Sequence, residues 1–484
     1  MNLGLLADFY ELSMMQGYFV SNARERAVFD MFFRRQPFQG GFSVFAGLED
    51  ALSYLSSLAF APEELSYLES LGSFRRDFLD FLASFRFRGD VYAMEEGEIV
   101  FPNEPLLRVH GSLMESQLVE SALLNTLNFQ TLIATKATRI CLSAQRRPVI
   151  EFGLRRAQGV DGALSAARAA FIGGASSTSN TLAGKRYGIP VKGTMAHSWI
   201  MSFPNEREAF ERYAEIYPDG CILLIDTYDT LGSGIENAIA VGRKLAEAGQ
   251  KGFGVRLDSG DLEYMSKKVR ERLDAAGLKD ARIVVSNELD EHIISQLVAR
   301  GAPIDVWGVG TQLVTGGGDP ALTGVYKMSA KQTGGADDPR SPWVPAIKVS
   351  NNPEKTTNPG IKQVWRFSSA EGSPLADLVC LEEEEVSPGL PYVFHHPGDY
   401  RSFRLEGYAD IRPLLSPVMK DGKKLNSPPQ LADIQNRVIR NLKRLDDTYK
   451  RLINPHVYKV SLSPRLKELK QTLIENTMSR GGTP

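Results

Sequence analysis

Cysteine is almost missing from this chain, with three residues (Cys141, Cys221 and Cys380) among 484. Three scattered thiols exclude a disulfide framework and a cysteine-based zinc site. Histidine is scarce as well, at six, and His110, His292, His395, His396 and His456 show no metal-ligand spacing. An excess of either charge is also lacking. The formal net charge is −2, which argues against nucleic acid or an anionic membrane as the main partner. No stretch approaches the roughly 18 apolar residues of a transmembrane helix. The opening run MNLGLLADFYELSMMQGYF carries no basic segment before an apolar one, so no secretion signal is expected. These absences predict a soluble, cytoplasmic protein.

What is present is ordinary in bulk and patterned in detail. Hydrophobic residues make up 43% and charged residues 24%, as in a globular protein long enough for two or three domains. In the middle, Val- and Ile-rich runs at 148–152, 190–193, 221–226, 252–257, 282–286 and 305–308 alternate with helical patterns at 178–187, 206–216, 234–248, 261–276 and 290–300. Such alternation means parallel strands joined by right-handed crossovers. Loops rich in polar residues and glycine follow the strands: FGLRRAQG, GTMAHS, DTYDTLGSG, RLDSGD, SNELDE and GVGTQLVTGGG. A doubly wound sheet concentrates function at one switch point, whereas a barrel collects it from every strand-to-helix loop on one face. Six chemically loaded loops therefore favour an α/β barrel. The ends mix helical stretches at 62–71 and 74–85 with a strand at 90–93, and the composition shifts to Pro, Gly and Asp beyond about 330. The expected organisation is a barrel over residues 111–330. The ends, 1–110 and 331–484, read differently from the barrel, with loops or a mobile flap near 331–362.

The loops carry the candidate chemistry. Glycines in GVGTQLVTGGG, Gly310 among them with Thr311 beside it, let backbone N–H groups converge on a phosphate; a plain tight turn is the alternative. Asp258 and Asp261, with Ser259 and Gly260 between, suit ribose hydroxyls or a hydrated magnesium ion. Asp261 also reads as a helix N-cap; a cap explains neither Asp258 nor Arg256. Phe152, Arg155 and Arg156 put an aromatic ring and two guanidinium groups on one rim, a match for carboxylate or phosphate, although surface ion pairing explains one of the arginines as well. His197 sits in a compact polar turn, and Asp226 on the next strand is a carboxylate suited to orient its imidazole. The constellation predicts chemistry on a phosphorylated sugar, centred on His197. Asp8 to Leu12, by contrast, reads as a structural helix start.

Taken in order, FFRRQPF, EFGLRRAQG, STSNTLAG, GTMAHS, LIDTYDT, GVRLDSGDL, VVSNELDE and GVGTQLVTGG closely resemble the motifs of the nicotinate phosphoribosyltransferase family, over essentially the whole chain. The resemblance implies an irregular α/β barrel with a second α+β domain built from both chain ends, 1–110 and 331–484. It implies condensation of nicotinate with 5-phosphoribosyl 1-diphosphate to nicotinate mononucleotide and diphosphate, a step of NAD salvage. ATP as co-substrate, a transient phosphohistidine, magnesium and a homodimer with composite active sites come with it.

Carried onto this sequence, the family pattern makes His197 the phosphorylated histidine and Asp226 the acid that orients it. Thr194 and Arg256 fall at nicotinate-contacting positions, and Gly310 and Thr311 in the phosphate loop. Tyr10 matches a tyrosine delivered from the neighbouring subunit to stack on the pyridine ring opposite Phe152. Asn180 stands where nicotinamide-using relatives carry aspartate. A neutral Asn180 near Arg155 and Arg256 fits an anionic ring substituent. Magnesium ligands are left between Asp226, Asp258 and Asp261, and diphosphate contacts between Arg34, Arg35, Lys327 and Lys355. Alternatives are a nicotinamide- or quinolinate-using relative, or a non-catalytic phosphoribose-binding protein on the same scaffold.

Overall fold

Both ends of the chain enter one antiparallel sheet. Its seven strands follow the order Trp343–Pro345, Gly324–Gln332, Arg26–Phe33, Leu107–Ser112, Asp90–Ala93, Ser416–Lys420 and Lys423–Lys424. Strand Arg26–Phe33 lies between Leu107–Ser112 and Gly324–Gln332, antiparallel to both. Alternation along it sends Ala27, Phe29, Met31 and Phe33 into one hydrophobic core. From the opposite face Asp30 meets the buried ammonium of Lys362 at 2.7 Å. A four-stranded sheet, Asp410–Pro413, Lys362–Ser368, Pro374–Leu381 and Val460–Leu462, adds to this strand-rich unit. The structure, a computed structural model, describes residues 3–23, 25–145, 147–332, 341–395 and 401–481.

Contacts divide the chain into one unit of residues 1–132 with 321–484 and another of 133–320. The sequence placed these edges near 110 and 330. Strand Leu107–Ser112 runs on into helix Leu113–Leu118, which packs on the same unit, and strand Gly324–Gln332 pairs with Arg26–Phe33. Of the segment 331–362 expected to form a mobile loop, residues 333–340 lie outside the described residues, and Trp343–Pro345 is a strand.

The second unit is a parallel sheet with strands β1 (Val149–Glu151), β2 (Ser177–Thr178), β3 (Ile222–Leu224), β4 (Gly254–Leu257), β5 (Arg282–Val285) and β6 (Val306–Val309). They lie in the order β2-β1-β6-β5-β4-β3, and Val191 bridges Thr178 of β2 in parallel. Followed round from β1, this is chain order: β1, β2, Val191, β3, β4, β5, β6. It is the circular order of a barrel, opened along one seam, since among the described residues no ladder joins Val191 to β3. The run expected as a strand at 190–193 shrinks to the Val191 bridge. The helix expected from 178 begins at Thr181, because Thr178 belongs to β2 and the Asn180 side chain caps the helix by accepting from Ala183 N at 3.2 Å. Helix Gly159–Ile172 was not foreseen; its GALSAARAAFI run has small residues on every face and is buried on most of them. No described helix is long and apolar enough to cross a membrane.

A buried ion cluster ties elements of this unit together. Glu291, at the first turn of helix Glu291–Ala299, accepts from Arg139 Nε at 2.9 Å and pairs with Lys136 Nζ at 2.6 Å. All three side chains are nearly solvent-free. Burial alone would raise the Glu291 carboxyl, but the two cations outweigh it and hold the group below its ordinary value near 4.5. Its contribution to stability is therefore full above that value and is lost as pH falls through the lowered pKa. Replacement of Glu291 by Gln leaves two buried cations without their counter-charge. We expect a loss of about 3–5 kcal/mol in denaturant unfolding followed by circular dichroism, with the deficit shrinking in acid.

Candidate active site

The carboxyl ends of the parallel strands place their loops side by side, and one guanidinium gathers them. Arg256, in β4, is 12% exposed as a side chain. Its Nε donates to Ser286 Oγ at 2.8 Å, just past β5. One terminal nitrogen donates to Thr194 Oγ1 at 2.8 Å and to the Met195 carbonyl at 3.4 Å, both on the loop that crosses the open seam. The other meets Asp258 Oδ1 at 3.0 Å. The guanidinium carbon stands 5.7 Å from the centroid of the Phe152 ring, at the end of β1. A planar fork with donors on every edge holds such a set where a lysine ammonium cannot.

Phe152 reaches this position because two glycines leave room. A Cβ on Gly308 of β6 would fall 2.7 Å from two Phe152 ring atoms, and one on Gly310 would meet the Phe152 carbonyl at 3.3 Å. Phe152 N donates to the Val309 carbonyl at 2.8 Å. Gly310 and Thr311 are thus set beside Phe152, with Thr311 opening the short helix Thr311–Val314. Below the ring, the buried Glu151 accepts from Gly153 N and, at 2.5 Å, from Thr178 Oγ1. Burial, opposed by those bonds, raises its carboxyl above the usual range.

His197 stands on the other side of Asp258, with 42% of its side chain exposed. Its Nδ1 lies 3.1 Å from Thr227 Oγ1, and its Nε2 faces Asp258 Oδ2 at 3.8 Å. The other oxygen, Oδ1, accepts a short hydrogen bond from Ser286 Oγ and so completes the link to Arg256. Asp226, expected to orient the imidazole, has a different task here. Its Oδ2 accepts from Asp258 N at 2.9 Å and Ser259 Oγ at 2.6 Å, holding the loop that carries Asp258. Its Oδ1 is buried with no hydrogen-bond partner. The ring is therefore aimed by Thr227 and Asp258, and Asp226 acts on the latter.

The structure thus assembles Phe152, Thr194, His197, Asp226, Arg256, Asp258, Gly310 and Thr311. It does not bring in every expected residue. Asn180 is 2% exposed; its oxygen caps helix Thr181–Tyr187, and its nitrogen donates to the Ala163 carbonyl at 3.4 Å. Asp261 is the N-cap of helix Leu262–Ala275, accepting from Glu263 N and Tyr264 N at 3.0 and 3.1 Å. Arg155 is exposed on the turn Leu154–Arg156. Tyr10 belongs to the other unit, where it is 42% exposed on helix Phe9–Val20. Thr227 and Ser286 were missed, although each sits in a loop singled out for its neighbours, DTYDT and SNELDE.

A model described as the nicotinate phosphoribosyltransferase (NAPRTase) family matches residues 148–365, flanked by models of the NAPRTase N-terminal domain over 5–128 and C-terminal domain over 361–470. The nicotinate phosphoribosyltransferase of Bacillus subtilis is 44% identical over 484 residues, spanning 99% of this chain and 96% of that protein. The chain belongs to the nicotinate phosphoribosyltransferase family. A crystal structure of human nicotinic acid phosphoribosyltransferase shares its fold with a TM-score of 0.83 at 32% identity, covering 96% of this chain and 99% of that one. The nicotinate-nucleotide pyrophosphorylase of Pyrococcus furiosus, at 24% identity and a TM-score of 0.68 over 91% of this chain and 95% of its own, shares the fold.

The two glycines make a sharp prediction for this member of the family. Gly308→Ala forces the Phe152 ring away from β6 and toward Arg256. Overpacking of this kind costs about 1–3 kcal/mol. Thermal unfolding should show that loss, and affinity for a flat aromatic acid should fall with it. Unchanged affinity would mean that the ring is no part of the binding surface.

Proposed function

We propose that this chain condenses nicotinate with 5-phosphoribosyl 1-diphosphate, giving nicotinate mononucleotide and diphosphate. The observation that carries the reading is Arg256 held 5.7 Å from the centroid of the Phe152 ring and hydrogen-bonded to Thr194. A pyridine ring stacked on Phe152 would present its carboxylate to a fixed cation, and aromatic contacts of this sort add about 0.5–1.5 kcal/mol beyond area burial. Preference for the acid over the amide then rests on Arg256 rather than on Asn180, whose side chain is engaged with backbone. Tyr10, supplied by a second copy in a homodimer, would cover the opposite ring face.

The chemistry follows from where charge develops. The C1–O bond to diphosphate breaks, the leaving group takes the electron pair, and the ribose gains oxocarbenium character. The pyridine nitrogen then gives its lone pair to C1, with no proton transferred. Backbone N–H groups around Gly310 and Thr311 are suited to the phosphates. Asp226 Oδ1, buried and unpartnered, and Asp258 Oδ2 fit a magnesium ion held otherwise by substrate and water; Asp261 is committed to its helix. When bound, that ion neutralises charge on the departing diphosphate.

ATP enters through His197. A carboxylate facing Nε2 favours the tautomer with its proton there, which leaves the Nδ1 lone pair toward Thr227. That lone pair attacks the γ-phosphorus, the bond to the bridging oxygen breaks, and ADP departs with the electron pair. A phosphate of about −1.5 to −2 charges then sits beside the sugar-phosphate site until water removes it after condensation. Three free cysteines suit a reducing cytoplasm.

His197→Ala should keep the fold and a residual condensation rate but lose ATP stimulation, together with acid-labile, alkali-stable label from γ-labelled ATP. Undiminished stimulation in that variant would rule out the phosphate-carrier role. Nicotinate should be used in preference to nicotinamide and quinolinate by at least about 100-fold in kcat/KM, since a hydrogen bond between two charged groups, which the amide cannot make with Arg256, is worth roughly 1.5–3 kcal/mol.

A further inference from the structure

The strand-rich unit encloses a cavity of about 830 Å³ whose wall serves no step of the proposed reaction. Part of that wall is apolar: Phe32 and the buried, stacked rings of Phe101 and Tyr458, with 3.6 Å between their centroids. Two cations line the same space, Arg34 and, from helix Pro464–Gly481, Lys470. Arg34 Nε is buried with no hydrogen-bond partner. Lys470 Nζ has a neutral partner, donating to Asn358 Oδ1 at 2.8 Å. Among the described residues neither cation makes an ion pair. Burial first, and the Lys362 ammonium second, push the Lys470 amine below its ordinary value near 10.5. The sequence leaves Arg34 among the candidates for diphosphate, but Arg35 and Lys355 of the same set are not on this wall.

A helix-to-loop tie explains the bond between Lys470 and Asn358, and ordinary core packing explains Phe101 and Tyr458. Neither explains two partly desolvated cations lining one space without an anion, a cost that a bound anion would remove. The backbone adds an independent observation. Gln39, Asn103 and Asn454 hold left-handed conformations at φ of 49°, 69° and 46°, and all three line this cavity. Asparagine adopts that region readily, but Gln39, following Phe38 at φ 59°, does so at a steric cost. Strain of that kind gathers at ligand clamps. The volume exceeds what inorganic phosphate fills and falls within the roughly 300–1,000 Å³ of small-molecule sites. Glu354, exposed on the same wall, adds an acceptor for hydroxyl or amino groups. We propose that this cavity is a second small-molecule site, binding a phosphate monoester of nucleotide size. Its phosphate pairs with Arg34 and Lys470, and hydroxyl or amino groups on its body meet Glu354.

The test uses the full-length protein and pyridoxal 5′-phosphate, a phosphate monoester that carries an aldehyde. The lone pair of the Lys470 amine adds to the aldehyde carbon, water leaves with the carbonyl oxygen, and borohydride delivers hydride to the imine carbon. Peptide mapping by mass spectrometry then reads the label residue by residue, whether or not the chain catalyses the proposed condensation. Lys470 should be labelled at least about tenfold faster by pyridoxal 5′-phosphate than by pyridoxal, the worth of one hydrogen bond between charged groups. Adenosine 5′-monophosphate should protect it at lower concentration than inorganic phosphate does, and adenosine should not protect. Arg34→Gln should erase the preference for the phosphorylated aldehyde while labelling by pyridoxal continues, which also shows that the variant has kept the cavity. In the unsubstituted protein, equal labelling by the two aldehydes would overturn the site, as would a Lys470 no more reactive than the exposed Lys251. Protection by inorganic phosphate equal to that by the nucleotide would overturn the assignment of a nucleotide-sized ligand.

Discussion

The bidentate and tridentate reach of Arg256 is the constraint on which the site is built. Its guanidinium joins the loop across the barrel seam, the residue after β5 and the loop after β4, and lies near the ring at the end of β1. Because the group is planar and permanently charged, satisfying one edge determines the others. Asp258 shows the effect. Its Oδ1 is claimed by Arg256 and Ser286, so Oδ2 is the oxygen left to face His197. Asp226 adds a second hold on the same loop through Asp258 N and Ser259 Oγ. The histidine is aimed by a chain of contacts that begins at the arginine.

Much of this unit was readable in the sequence, and the reason is physical. Side chains at the carboxyl ends of parallel strands are under little pressure from strand propensity, so Arg256, Asp258 and His197 stand out against turn residues that need no such chemistry. The parts that stayed hidden are those where a residue serves two common purposes. Asn180 in a strand-to-helix loop looks the same whether it caps or binds, and here it caps. Thr227 and Ser286 are ordinary hydroxyls until an imidazole or a guanidinium is placed against them. A two-residue strand such as β2 has no period to detect, and the alanine-rich helix Gly159–Ile172 has no polar face to mark it. Pairing of Phe29 with Met328 joins distant sequence with no local signature at all.

That long-range assembly has its own safeguard in buried charge. Arg366, 3% exposed as a side chain, takes both oxygens of Asp377 at 2.9 and 2.6 Å and one oxygen of Glu98 at 2.7 Å. The other oxygen of Glu98 receives Arg412 at 2.6 Å. Buried ion pairs add little to net stability compared with apolar packing, but breaking one leaves an uncompensated charge at a cost of roughly 3–5 kcal/mol. A strand shifted by one residue in this unit would break several at once. The network therefore discriminates between registers in a domain whose halves are separated by nearly the whole barrel sequence.

Exposure across the site runs in the order its chemistry needs. The Arg256 side chain is 12% exposed, Asp258 25% and His197 42%. Groups that aim must be immobile, and burial with satisfied hydrogen bonds immobilises them. A nitrogen that takes a phosphoryl group and then gives it to water must be reachable by both, so it belongs at the open end of the gradient. The same ordering recurs at the N-terminal helix, where Glu11 is buried, the Glu120 side chain is 13% exposed and Tyr10 is 42% exposed. At the barrel site Asp226 supports Asp258, which in turn faces the accessible imidazole of His197.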